Sequence, residues 1–509
     1  MLFNSYSFIF LFLPIVLLGY HFFCSLKEKY PSQQSLPLYW LAFSSLIFYT
    51  IWNPSFTPIL LSSIIGNGCL AYALINRDFS PVQRRWIRNI GVIGNLVFLG
   101  YFKYSSFLLE NSNAFLGSSF TLHHIILPLG ISFYTFQKIA LLVDAEKGEV
   151  KDFQLNKYLL FVTFFPQLIA GPLVHHKDLM PQIGPEKLKP LSADNLALGL
   201  CIFIVGLFKK SVLADTMAPI ADMVFNTVAD GTALKASAAW AGALAYTLQL
   251  YFDFSGYSDM AIGLAMMFGI CLPQNFNSPY QATSIIDFWR RWHMTLSAFL
   301  RDYVYIPLGG NKLGERRRYL NLFLVMLVGG LWHGAGWTFV LWGAFHGILL
   351  VINHFWRAMR KQSKFFNRSF GIYGQFMGWF ITFYAVVHAW VLFRAPNFEA
   401  AKNVFKFMYS RHTESSLNFS QILGKISYKI VNSMNSQTAT VLLAFLILSC
   451  IFTHNTYNLF VNRERNFAGL PQINLIFSMT NRWSWVMALL FVLSVFHLNH
   501  VTPFLYFQF

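Results

Sequence analysis

The sequence predicts an all-α, polytopic integral membrane protein, and three observations predict it. Of its 509 residues, 55% are hydrophobic and 18% aromatic, while only 12% are charged, against roughly 25% in a soluble domain. Apolar runs of spanning length recur from end to end between short polar connections. The formal charge of +17 gathers in clusters at the ends of those runs, a distribution that suits anionic lipid headgroups and the positive-inside rule and not nucleic acid. Roughly 11 to 13 membrane segments follow, re-entrant ones included, at ~20 residues per full span.

The first four runs fall near 7 to 23, 37 to 52, 57 to 76 and 89 to 109. The first has no basic lead and no small-residue cleavage site, so it reads as a retained span and not a signal peptide. Lys27, Lys29, Arg77, Arg84, Arg85 and Arg88 follow alternate runs, whereas Glu110 to Leu122 is almost free of Lys and Arg. That alternation puts the N-terminus outside and the basic loops in the cytoplasm. The apolar piece from Tyr158 to Ile169 is too short to cross and ends in Gly171-Pro172, which fits a re-entrant segment.

Further spans are expected at 195 to 214, 236 to 252 and 256 to 270, with Asp253 and Asp259 near the junction of the last two. Carboxylates in such sequence face a bundle interior or a wet cavity; capping a broken helix or pairing with an arginine is the plainer role. From Asp287 to Tyr303 the residues Trp289, Trp292, Leu296, Phe299 and Tyr303 keep helical spacing. They predict one amphipathic helix at the cytoplasmic interface, with Arg290, His293 and Arg301 largely off its apolar stripe. Spans near 370 to 393, 438 to 452 and 484 to 498, with an external loop or short helices over 410 to 437, complete the chain. The five cysteines show neither paired nor CxxC spacing, so neither a disulfide framework nor a metal site is expected.

The stretch from Arg316 to Trp356 carries the sharpest signal. Basic clusters flank it on both sides, and Trp332-His333-Gly334-Ala335-Gly336-Trp337 lies in its middle. Both ends are therefore cytoplasmic and the turn is deep: the fifteen positions from Arg318 to His333 span roughly 22 Å at ~1.5 Å per residue. Gly334 and Gly336 permit a helix break and close approach of a backbone or ligand, and His346 returns thirteen residues later. A neutral imidazole at that depth can take a proton from a hydroxyl attacking a thioester. An interhelical hydrogen bond, a metal ligand and a proton relay are the other roles open to it.

Five segments resemble a known family in order and spacing: LPLGISFYTFQ at 127 to 137, FFPQLIAGPLVHHKDLMPQI at 164 to 183, YFDFSGYSDMAIGLAMMFGI at 251 to 270, DFWRRWHMTLSAFLRDYVYIPLGGN at 287 to 311 and LWHGAGWTFVLWGAFHG at 331 to 347. They are similar to the membrane-bound O-acyltransferases, and most similar to the bacterial branch that O-acetylates alginate, cellulose or peptidoglycan. The resemblance implies a catalytic core over 121 to 400, between N-terminal helices at 1 to 120 and C-terminal helices with an external loop at 401 to 509. It implies a ring of tilted helices around a tunnel, with a cytoplasmic funnel for an acyl thioester, acetyl-CoA by expectation, and no tightly bound cofactor.

By the same resemblance His333, beside Trp332, is the essential histidine, and Asp287 or Asn275 with His293 occupies a second polar position. Arg290, Arg291 and Arg301 would meet donor phosphates. Thr502 to Phe509 resembles the aromatic-tyrosine ending of a small peptide in teichoic acid D-alanylation, which makes Tyr506 a candidate relay nucleophile. The implied setting is the bacterial cytoplasmic (inner) membrane, with a polysaccharide acceptor and a periplasmic or extracellular partner acetyltransferase. A transporter or flippase for a lipid-linked glycan, and an acyltransferase for a protein or lipid hydroxyl, including D-alanyl transfer, are the rival readings.

Overall fold

The computed structural model describes every residue except 122–124, 363–370, 411–415, 462–479, 501, 503 and 506–509. Among the described residues the chain is helical throughout, without a β-strand and with one isolated bridge between Leu234 and Leu417. Among the described residues, six helical stretches are long and apolar enough to cross a membrane: Phe8–Lys29, Pro54–Asn76, Pro81–Leu116, Ala193–Ala229, Trp337–Gln362 and Gly371–Arg394. Leu36–Trp52 and Ser436–Phe452 are shorter apolar helices. The protein is an all-α, multi-pass membrane protein.

Two compact units divide it, Met1–Gly206 with Tyr257–Gln274, and Leu207–Gly256 with Asn275–Phe509. In the first unit, α1 (Leu13–Lys29), α2 (Leu36–Trp52), α3 (Thr57–Asn76), α4 (Pro81–Leu116) and α5 (Ile131–Glu146) occur in sequence. Helix α4 starts on a capping box between Ser80 and Gln83 with Pro81 next, and ends at Gly117 with φ 64°, so both ends carry standard stop signals. Helix α6 (Leu155–Thr163) ends at Phe164, two residues before Pro166 and inside the short apolar run. Phe8, Phe12, Phe48 and Phe165 interlock as an aromatic core, with centroids 5.5 to 6.2 Å apart.

A π-turn over Lys209–Ala214 joins α7 (Ala193–Phe208) to α8 (Asp215–Ala229). The expected junction between 252 and 256 does not exist: Ala236–Met267 is one uninterrupted helix, α9. Asp253 does not cap a break, because Lys210 Nζ lies 2.8 Å from its carboxylate and neutralises it inside the helix bundle.

The expected single amphipathic helix over 287 to 303 is also corrected. It is α10 (Ile285–Arg291) and α11 (Met294–Leu300), followed by a π-turn at Arg301–Tyr305. The break is at His293, held left-handed at φ 44°, ψ 54°, where a non-glycine residue is strained.

Helices α12 (Glu315–His333) and α13 (Trp337–Gln362) form a hairpin with basic residues at both of its open ends. They pack backbone to backbone. A Cβ on Gly330 would lie 2.3 Å from the Phe339 carbonyl oxygen, and one on Gly343 would lie 2.5 Å from that of Met326. Small residues at such contacts are how membrane helices approach closely. Helix α14 (Gly371–Arg394) and the amphipathic α15 (Phe398–Tyr409) follow, then α16 (Ser436–Phe452) and α17 (Asn481–His497).

Candidate active site

Every described candidate residue belongs to the second unit. His333 is the last residue of α12, 5% exposed, and Gly334 leaves the helix in an extended conformation. Any residue can adopt that backbone, so glycine is needed here for space: a Cβ would sit 2.2 Å from the Phe339 ring. Aromatic rings wall the imidazole. Trp342 meets it edge-on at 5.1 Å and Phe393 at 5.2 Å between centroids, Trp332 at 4.8 Å, and the His293 ring at 6.5 Å.

His293 is fully buried, although the helical period assigns it to the polar face. The backbone break turns it inward, and Asn275 holds it there. Asn275 Oδ1 pairs with His293 Nδ1 at 3.0 Å and accepts the Thr295 hydroxyl at 2.9 Å, while its backbone carbonyl accepts Met294 N–H at 2.9 Å. Facing an amide oxygen, His293 Nδ1 carries the proton and Nε2 the lone pair. Of the two candidates for the second polar position, Asn275 therefore meets His293. Asp287 binds Arg291 Nε at 2.9 Å along its own helix.

His346, on α13, is fully buried and shares Trp342 with His333, at 4.8 Å between centroids. Trp289 Nε1–H donates to His346 Nδ1 at 3.3 Å. An indole nitrogen only donates, so Nδ1 is the acceptor and Nε2 bears the hydrogen. That Nε2–H and the Trp342 Nε1–H have no hydrogen-bond partner among the described residues. His333 and His346 thus share the Trp342 ring, and the two buried N–H groups belong to Trp342 and His346 on the same helix.

The arginines separate by local pairing. Arg291 is tied to Asp287, and Arg301, largely exposed, is tied to neighbouring Asp302 at 2.7 Å. Arg290 instead joins Arg318 and Arg357, all three acting electrostatically on His354. Arg357 also donates to Ser284 Oγ at 3.3 Å, and Arg318 lies 3.6 Å from Glu315. This group marks the open end of the α12–α13 hairpin, opposite the tip that holds His333. Arg318 and Arg357 belong to the basic flanks of the sequence, and spacing alone did not single them out as site residues. Tyr506 lies outside the described residues. Among the described residues no three His, Cys, Asp or Glu side chains gather to hold a metal.

Lys210 is a buried residue that the sequence reading passed over. Its signal was a Lys-Lys pair inside an apolar run. A cavity of about 250 Å³ lined by Glu149, Lys151, Lys157 and His176 lies in the first unit and includes none of the candidate residues.

The chain is similar in sequence to several known proteins. A peptidoglycan O-acetyltransferase of Helicobacter pylori is 43% identical over 463 residues, covering 86% of this chain and 85% of the relative. A probable alginate O-acetylase of Pseudomonas putida is 39% identical over 528 residues, covering 100% of both. A teichoic acid D-alanyltransferase of Bacillus subtilis is 30% identical over 250 residues, covering 48% of this chain and 62% of the relative. Residues 87–393 match the sequence profile of the membrane-bound O-acyltransferases, a stretch containing His293, His333 and His346. The chain is an O-acyltransferase that uses an acyl donor, and it belongs to the membrane-bound O-acyltransferase family.

Proposed function

We propose that this enzyme takes an acetyl group from a cytoplasmic thioester, acetyl-CoA, and moves it through the bacterial inner membrane for O-acetylation of an extracytoplasmic polysaccharide. The observation that carries the reading is His333 buried at a helix end and walled by rings, with the buried His293 ring at 6.5 Å and the buried His346 on the other contact of Trp342. The names of the similar proteins, which act on peptidoglycan and alginate, support a polysaccharide acceptor. A charged donor need not enter the hydrocarbon if only the small neutral acyl group passes through.

In this reading His333 takes the proton of the attacking hydroxyl as its oxygen bonds to the thioester carbon. The oxyanion that forms is met by the His346 Nε2–H, with the Trp342 N–H beside it. Collapse breaks the carbon–sulfur bond, and His333 returns the proton to the thiolate. His293, positioned by Asn275, orients His333 or the hydroxyl through its lone pair, and Trp332 helps to enclose the acyl group. Arg290, with Arg318 and Arg357, holds the donor's phosphates, whereas the charges of Arg291 and Arg301 are taken up by Asp287 and Asp302.

Tyr506 is the first acceptor, so its hydroxyl is acylated and then surrenders the acyl group to the polysaccharide or to a partner acetyltransferase. The test is purified protein in liposomes supplied with radiolabelled acetyl-CoA. The expected product is an alkali-labile ester on the protein, absent from Tyr506→Phe, which chases onto added polysaccharide. No transfer from acetyl-CoA to protein or glycan would refute the donor assignment, and full transfer by Tyr506→Phe would refute the relay.

A further inference from the structure

The second unit buries a charged cluster that the acyl-transfer chemistry does not use. Lys210, 1% exposed, lies in the π-turn between α7 and α8. Its ammonium donates to Asp215 Oδ1, Asp253 Oδ1 and Thr502 Oγ1, each at 2.8 Å. The Thr502 hydroxyl donates onward to Asp215 at 2.5 Å, and Leu505 N–H donates to Asp253 Oδ2 at 3.1 Å. Phe504 covers the ammonium, its ring centroid 5.0 Å from Nζ. One lysine therefore spends all three protons joining a helix with a π-turn, a second helix and the segment that carries Thr502, Phe504 and Leu505.

Apolar packing alone would bury this segment, since Phe504 and Leu505 are already 1% and 6% exposed. Buried ion pairs add little net stability over apolar packing, and their best-attested use is to fix one register among several. A π-turn inside a spanning helix is likewise a feature found at functional sites. We infer that Lys210, held by Asp215 and Asp253, is a positioning residue for acyl transfer: it fixes the register of Thr502, Phe504 and Leu505, which lead into Tyr506 in the sequence. Its catalytic purpose rests on the relay reading of Tyr506. The latch itself rests only on the described contacts. Apolar contacts that tolerate sliding by a residue would leave the relay hydroxyl misplaced, and small misplacements of a reacting group are costly.

The test uses full-length protein in liposomes carrying the substitution Leu505→Cys, read by maleimide labelling and peptide mass spectrometry. The introduced thiol should be protected in the otherwise native chain and labelled when Lys210→Met is added. In the native cysteine background, Lys210→Met should lower kcat for acceptor acetylation while leaving the KM for the thioester unchanged, and Lys210→Arg should recover part of the loss. Should Lys210→Met fail to fold, Thr502→Val removes the segment's own link and leaves the Lys210 ion pairs in place; it should also expose the introduced thiol and lower kcat. Protection of that thiol in a folded Lys210→Met or Thr502→Val protein overturns the latch, and exposure with unchanged kcat overturns the positioning role. Full activity of Tyr506→Phe with Lys210→Met still impaired would sink the relay and leave the latch standing.

Discussion

Removing the Asn275 amide is the perturbation whose consequence follows most directly from the geometry. Asn275→Ala deletes the oxygen that pairs with His293 Nδ1 at 3.0 Å and accepts the Thr295 hydroxyl at 2.9 Å. All three residues are buried, so no solvent replaces the lost acceptor. Each buried donor deprived of its partner costs about 1–3 kcal/mol, which gives roughly 2–6 kcal/mol for the pair. The left-handed backbone at His293 stores on the order of 1–3 kcal/mol that these bonds resist. The variant should therefore relax by releasing His293 from its inward position, and the loss should appear in kcat more than in the melting temperature. The assay is acyl transfer at saturating thioester, alongside thermal unfolding in detergent. Asn275→Ala with native kcat would refute the claim that this amide sets the site geometry, and a fall in stability alone would assign it to folding.

Four further substitutions probe other parts of the site. Gly343→Leu drives a side chain into the Met326 carbonyl, 2.5 Å from where its Cβ would stand; overpacking should cost at least ~1–3 kcal/mol and splay the hairpin, seen as loss of a monodisperse, active protein. Arg357→Gln and Arg290→Gln should each raise the KM for the thioester about tenfold, by loss of a charge-assisted contact. Native KM should also rise with ionic strength, and salt-independent KM values would count against a phosphate role. His346→Phe should fold, because its surroundings are Trp342, Phe288 and Trp390 rings, yet lose about 10²-fold or more in kcat if Nε2–H stabilises the oxyanion; native kcat would return His346 to a packing role.

What was legible in the sequence follows from which interactions are local. The α12–α13 hairpin could be read because its boundaries are written in neighbouring residues: three arginines, a WHGAGW turn and a second basic run. Arg291 with Asp287 and Arg301 with Asp302 are local pairs too, yet the sequence offered these arginines to the donor, because charge alone does not reveal that a neighbour has already claimed it. Two features were misread because their causes lie far along the chain. The period of Trp289, Trp292, Leu296 and Phe299 survives the break at His293, and the break depends on Asn275, eighteen residues upstream. Asp253 suggested a helix junction because an isolated charge marks a boundary; Lys210, which neutralises it, is 43 positions away. The pairing of Trp289 with His346, across 57 positions, likewise has no local signature.

The central claim is that His333 performs acyl transfer and is not a structural histidine. Its most direct test is radiolabelled acyl transfer from thioester to membrane-bound acceptor, comparing native protein with His333→Ala at equal, folded abundance. Loss of a general base should reduce the rate by at least about 10²-fold, with thioester binding retained at the arginine end of the hairpin. Unchanged labelling by a folded His333→Ala protein would contradict the account.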